Sequence, residues 1–297
     1  VCVDNSIAAE PIAPIEQQTI EIPNLRPLPR GEQCHRAIQE ASAQERKVKN
    51  LKDKIVLVTG GGAGFGRAIV ERFIAEGSKA IIADIDEITG KATADAVGGH
   101  FVRTDVSNAD SVEAAVAFAV KTHGRLDIIV NNAGIESAQA PIHECTMENW
   151  RRVIDINLNG VFYGMKFALA QFVKQGSGNV VNISSIAGIV ACANLPPYSA
   201  SKAGVSNLTR EGALEYARLG IRVNAIAPTA VMTDMNERMK QNADDPDGFV
   251  NYLNSMNPMP GTPTADDIAA AAAFLASDDA SFISGVILPI DGGFTAQ

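Results

Sequence analysis

The chain has 297 residues, of which 46% are hydrophobic and 20% charged, an ordinary balance for a soluble globular protein. Its net charge of −9 argues against a nucleic-acid or anionic-membrane partner, and no apolar run is long enough to span a bilayer. The four cysteines (Cys2, Cys34, Cys145, Cys192) and four histidines (His35, His100, His123, His143) are scattered without metal-ligand spacing, so no metal site is expected and the thiols read as reduced structural groups of a cytoplasmic protein.

The sequence opens at Val1, and its first residues lack the basic and apolar regions of a signal peptide. Residues 1–30 hold five of the fourteen prolines: Pro11, Pro14, Pro23, Pro27 and Pro29. Proline at this density favours extended backbone. Ile7, Ile12, Ile15, Ile20, Ile22 and Leu25 are too apolar for a free linker. The expectation is an arm lying on its own domain or on a neighbouring subunit. Residues 32–49 read as a short polar helix. Together, residues 1–50 form an extension before a main domain at 51–297.

From Lys52 onward strand and helix patterns alternate. The run Ile55-Val56-Leu57-Val58 is continuously apolar, as a strand buried on both faces must be. Directly after it comes Thr59-Gly60-Gly61-Gly62-Ala63-Gly64-Phe65-Gly66, then a helical period over 65–76. Glycines permit a tight turn and close approach of a ligand to the backbone, and the helix start offers unpaired N–H groups to a diphosphate. A glycine cluster alone can be a mere loop; the strand before it and the helix after it favour a dinucleotide site.

A second strand, Ala80-Ile81-Ile82-Ala83, ends at Asp84, eighteen residues after Gly66. An acid there suits the ribose 2′-OH of NAD and repels the 2′-phosphate of NADP. Ala63 and Ile85 flank it without supplying a cation. A plain strand-end acid facing water is the other reading of Asp84. His100-Phe101-Val102 is a weaker strand candidate, followed by Asp105-Val106 and a helix over 109–122. Residues 126–130 form the fourth strand, ending at Asn131-Asn132-Ala133-Gly134. A helical period then covers 147–174 and contains Asn157, which by itself reads as a helix-kink asparagine.

The fifth strand, 180–183, ends at Ser184-Ser185. Thirteen residues beyond Ser185, Tyr198 and Lys202 stand four apart in the helix predicted over 198–218. Residues i and i+4 share one helix face. A fixed ammonium there lowers the pKa of a phenol that otherwise titrates near ~10. Ser185 supplies a hydroxyl for a carbonyl or alcohol oxygen. Without its context the pair is an ordinary helix start with a surface lysine. Strand 221–226, helix 265–276 and strand 286–288 close the series. The alternation predicts an α/β fold: a doubly wound parallel sheet of Rossmann type, one domain with an N-terminal extension.

With Asn157, Ser185, Tyr198 and Lys202, the glycine turn and the segments at 105, 131 and 182 make residues 50–297 resemble the short-chain dehydrogenase/reductase family, in its non-extended branch. The resemblance implies an NAD-dependent oxidoreductase that interconverts a secondary alcohol and a ketone. Tyr198 would be the general acid/base. Lys202 would lower its pKa and bind the nicotinamide ribose. Ser185 would orient the substrate oxygen, and Asn157 would hold a water leading from Lys202 to solvent.

Cofactor contacts would come from Gly60, Gly64, Phe65 and Gly66, from Asp84 and Ile85, and from Asp105 and Val106. Asn132, Ala133 and Gly134, with Asn131 beside them, would serve the adenosine side and the sheet. Pro228, Val231 and Thr233 would reach the carboxamide, although Thr229 stands where the family has glycine and threonine resists positive φ.

A lid is expected at about 230–260, carrying Met232, Met235, Met239, Phe249, Tyr252, Leu253 and Met256. These residues suit a hydrophobic or cyclic substrate, and equally suit helix packing. Ile186, Cys192, Leu195, Glu136 and Ser137 should line the pocket. Alternatives are an NADPH-dependent 3-oxoacyl reductase, which Asp84 opposes, and a non-enzymatic dinucleotide sensor. The helices at 147–174 and 198–218 are the expected faces of a homodimer or homotetramer.

Overall fold

The structure, a computed structural model, describes residues 48–231, 240, 245–255 and 257–296. The proline-rich arm, most of the short helix after it, Thr233 and much of the expected lid lie outside the described residues.

Seven parallel strands form one sheet in the order β3-β2-β1-β4-β5-β6-β7. They are β1 (Ile55–Thr59), β2 (Lys79–Asp84), β3 (His100–Arg103), β4 (Ile128–Asn131), β5 (Gly178–Ile183), β6 (Ile221–Pro228) and β7 (Ile287–Ile290). Successive side chains on a strand point to opposite faces, so each apolar run feeds two cores. Val56 and Val58 meet Ile69 and Phe73 of α1 (Gly64–Ala75) and Ile268 and Ala272 of the last helix, Ala265–Ala276. Leu57, Ile81 and Ile129 meet Ala115 and Ala119 of α3 (Ala109–His123), and Val161 and Phe172 of α5 (Gly160–Gln175). Each such large apolar side chain, fully buried, stabilises the fold by about 1.5–3 kcal/mol. Phe172 also explains Gly178, where an added Cβ would overlap its ring.

The chain reverses direction of growth between β1 and β4, since β2 and β3 lie to one side and β5 to β7 to the other. That switch point opens a crevice at the carboxyl ends of β1 and β4. The glycine turn and the Asn131–Gly134 segment both start there.

Three elements differ from the sequence expectation. Helix α2 (Glu87–Val97) has no apolar stripe to betray it: its buried residues are Gly90, Thr93 and Ala94, while Ile88 is 82% exposed. Its visible signals are the Asp86 cap, which accepts from Ile88 and Thr89 N–H, and the left-handed Gly98 at its end. The period at 147–174 is not one α-helix. It runs as α4 (Met147–Ile154), a π turn (Asp155–Asn159) and then α5. The helix carrying Tyr198 and Lys202, α6 (Pro196–Tyr216), begins two residues earlier than expected, on a proline pair suited to a first turn. Within the expected lid, Pro246–Ser255 is helical (α7), and Ala265–Ala276 is α8.

Candidate active site

Gly60 and Gly64 adopt φ of +63° and +51°, in the left-handed region that glycine tolerates. A Cβ on Gly66 would overlap the Gly60 carbonyl oxygen, so the turn closes on itself only without a side chain there. Ala63, at the start of α1, gives that helix no side-chain cap, which leaves its first N–H groups to be met from outside. This cradle fits a diphosphate, with Phe65 following it on the first turn of α1.

The turn is braced by polar groups. Thr59 Oγ1 accepts from the N–H groups of Asn132 (3.0 Å) and Ala133 (3.1 Å). Asn132 Nδ2 donates to the carbonyls of Thr59 (2.9 Å) and Gly60 (3.1 Å). Asp84 accepts from the N–H of Gly62 (2.8 Å) and of Asp86 (3.0 Å), which sets its carboxylate at the rim of the turn, with Ile85 exposed beside it. Asp105 caps its own turn, accepting from Ser107 N–H and Oγ, while Val106 is buried against Gly160. Asn131 does not line the crevice. It is buried and its Nδ2 donates to Asn182 Oδ1 (2.8 Å), while Asn182 Nδ2 donates to Thr209 Oγ1 of α6, so it ties β4 through β5 to that helix.

Ser185 leaves β5 in extended conformation and its Oγ accepts from Ala187 N–H (3.2 Å). Its neighbour Ser184 is bonded to the Lys202 carbonyl (3.0 Å) and to Ser206 Oγ (2.8 Å). A Cβ on Gly188 would lie 2.6 Å from the Lys202 carbonyl, so this turn and α6 touch backbone to backbone. These three residues fix the distance between Ser185 and Tyr198. Sequence reasoning gave them no role, although Gly188 three residues after Ser185 was a readable sign.

Tyr198 and Lys202 share one face of α6, with Lys202 Nζ 5.7 Å from the Tyr198 ring centre. Lys202 is only 4% exposed, donates to the Ile183 carbonyl (2.9 Å), and burial pushes its pKa down to about 8. The Tyr198 phenol is not lowered as the spacing led one to expect. Burial pushes it up, a hydrogen bond with Ser185 pulls it down, and Glu136 and Cys192 push it up again. Loss of water disfavours the phenolate, and it is the largest of these influences.

Asn157 sits fully buried in the π turn. Its Oδ1 accepts from Ile135 N–H and its Nδ2 donates to the Ile135 carbonyl, both at 2.8 Å. The side chain is therefore engaged at both ends in clamping the backbone after Gly134. That clamp was not legible in the sequence. Pro228 ends β6 opposite Ile290, and Val231 is buried after it. Thr229 is not among the positive-φ residues, so the turn forms without the family's glycine. Among the described residues no cluster of three metal-ligating side chains occurs.

A family model described as "Enoyl-(Acyl carrier protein) reductase" matches residues 60–295. Levodione reductase of Leifsonia aquatica is 43% identical over 264 residues, spanning 86% of this chain and 99% of its own. The crystal structure of levodione reductase superposes with a TM-score of 0.80 at 41% identity, over 83% of this chain and 99% of that one. Cis-4-hydroxycyclohexanecarboxylate dehydrogenase of Sinomonas cyclohexanicum is 42% identical over 250 residues (82% of this chain, 97% of its own). A 2,5-dichloro-2,5-cyclohexadiene-1,4-diol dehydrogenase of Sphingobium indicum is 40% identical over 252 residues (84% and 100%).

Proposed function

Because the chain belongs to the short-chain dehydrogenase/reductase family, we propose that it interconverts a cyclic secondary alcohol and its ketone, with NAD as cofactor. The observation that carries this reading is the meeting of Ser185, on the turn after β5, with Tyr198 and Lys202 on one turn of α6, together with a glycine cradle that rejects a Cβ. The ring substrate is supported by relatives named for cyclohexane and cyclohexadiene alcohols.

Gly60, Gly64, Phe65 and Gly66 hold the diphosphate, and Asp84 meets the adenosine ribose. Asp105, Val106, Asn132, Ala133 and Gly134 complete the adenine side, and Pro228, Val231 and Thr233 the far end. When bound, the dinucleotide supplies the hydride acceptor or donor. Tyr198, as the phenolate, takes the alcohol proton at its phenolic oxygen and becomes the neutral phenol. Ser185 holds the substrate oxygen as charge develops, the logic of a preorganised donor. Lys202, fixed by the Ile183 carbonyl, is placed to favour the phenolate once the cofactor's own charge and contacts fill the crevice. Asn157 acts through Ile135, holding the wall of the site in place.

NAD is favoured over NADP because Asp84 would face a 2′-phosphate with like charge. The cations of that corner, Lys91 and Arg103, both pair with Glu87. We further propose a homo-oligomer, supported by Phe162 on α5 and by Leu214 on α6, which is 81% exposed. The free thiols Cys145 and Cys192 suit a reducing, cytoplasmic setting. Among the described residues no helix is long and apolar enough to cross a membrane.

The test is absorbance at 340 nm with NAD or NADP and a panel of cyclic secondary alcohols, beside a 3-oxoacyl thioester with NADH or NADPH. NAD reduction by cyclic alcohols is expected. Activity confined to the thioester with NADPH would overturn the reading.

A further inference from the structure

Glu136 stands apart from the other sheltered acids of this protein. Asp127 has Arg125 and the Ile55 N–H, Glu76 has Arg72 and the Val48 N–H, and Asp84 has two backbone N–H groups. Asp291 accepts from Gly293 and Thr295. Glu136, also partly buried, makes no hydrogen bond or ion pair with any described residue. A half-buried carboxyl that no described residue engages is open to a group that arrives from outside.

Its position says which group. A Cβ on Gly134 would lie 3.5 Å from Lys202 Nζ and 3.3 Å from Asn157 Oδ1, so this segment crosses directly over the Lys202 end of the site. Ile135, between Gly134 and Glu136, is clamped at both its N–H and its carbonyl by the fully buried Asn157. The side chain of Glu136 thus leaves a fixed backbone, and it lies near enough to Tyr198 to act on its charge. Ile186 on the Ser185 turn is buried, and Ile189 and Val190 follow it as exposed apolar surface.

We propose that Glu136 selects the substrate by hydrogen-bonding a second hydroxyl on the ring of a cyclic alcohol whose first hydroxyl reacts at Tyr198. The inference rests on the dehydrogenase reading above and narrows its substrate to cyclic diols and their hydroxyketones. A hydroxyl both donates and accepts, so it satisfies the carboxyl in either protonation state, whereas an ammonium needs the ionised form. Burial shifts Glu136 toward the neutral state, which favours the hydroxyl.

The experiment compares kcat/KM with NAD for cyclohexanol, cyclohexane-1,2-diol, cyclohexane-1,4-diol and 4-aminocyclohexanol, in the wild type, Glu136→Gln and Glu136→Ala. NADH fluorescence titration checks that each variant is folded. The wild type is expected to prefer one diol over cyclohexanol by roughly 10- to 100-fold, the range for a hydrogen bond to a carboxyl. Glu136→Ala brings that ratio to within about threefold of one, mainly through KM, and Glu136→Gln keeps part of it because its amide oxygen still accepts. A wild type indifferent to the second hydroxyl, a preference that survives Glu136→Ala, or a preference for the amino alcohol would each overturn the proposal. Oxidation of cyclohexanol without diol preference sinks this inference alone. Failure with every cyclic alcohol sinks the dehydrogenase reading with it.

Discussion

The glycine turn and the segment around Tyr198 are built on opposite principles. In the turn, Thr59, Asn132, Asp84 and Thr93 all spend their side chains on neighbouring backbone, and Gly66 admits no other residue. Around Tyr198, Glu136 has no partner among the described residues, and the buried oxygens of Ser137 and Ser199 accept no hydrogen bond there either. The first region has its side chains already committed and keeps only the first N–H groups of α1 for a ligand. The second leaves polar groups whose cost is recovered only by a substrate or cofactor. A common cofactor can be met by a braced backbone cradle, whereas a particular substrate is recognised by side chains the protein leaves unsatisfied.

Four substitutions probe that contrast. Tyr198→Phe should lower kcat by about 10²- to 10⁴-fold, the usual worth of a positioned acid/base, while NADH affinity measured by fluorescence changes little. Near-normal turnover would remove Tyr198 from the chemistry. Gly66→Ala attacks the finished region. Its Cβ meets the Gly60 carbonyl, and overpacking of that kind costs about 1–3 kcal/mol, or roughly 10- to 100-fold in NADH affinity. Unchanged affinity would mean that the turn yields.

Asp84→Ala should narrow the preference for NAD over NADP by about tenfold, equal to about 1.4 kcal/mol, read as a ratio of kcat/KM values. An undiminished ratio would move the discrimination elsewhere. Lys202→Met is expected to lose activity yet raise the melting temperature of the cofactor-free protein at pH 7 by a few degrees. The native lysine is pushed down to about 8, and the unfolded chain keeps its proton to about 10.4. Below pH 8 both states are charged and the burial penalty is felt in full. Between pH 8 and 10 the native state sheds its proton first, so wild-type stability rises and the advantage of the variant shrinks. A variant less stable at both pH 7 and pH 9.5 would show that the bond to the Ile183 carbonyl outweighs the penalty.

The sheet was legible because a strand buried on both faces is written as an unbroken apolar run, as residues 55–58 and 80–83 are. The turn was legible because only glycine tolerates its backbone. Helix α2 was not, since its inner face is Gly90, Thr93 and Ala94 and carries no hydrophobic period. The spacing of Tyr198 and Lys202 puts them on one helix face as read, whereas the upward direction of the phenol's pKa comes from loss of water, which spacing does not reveal. The clamp of Asn157 on Ile135 was hidden for a related reason. It joins residues 22 apart and depends on a local departure from the α-helix.

That departure has a further consequence. In the π turn, Gly160 N–H donates to Asp155 O, five residues back instead of four, so the stretch 155–159 holds one residue more than a regular helix would. One surplus residue rotates everything beyond it by about 100°. The outer half of the helix can therefore follow one packing direction while the inner half follows another, and Asn157 sits at the seam. Deleting a single residue there would restore regular winding, improve the helix as a helix, and turn the asparagine away from the backbone it holds.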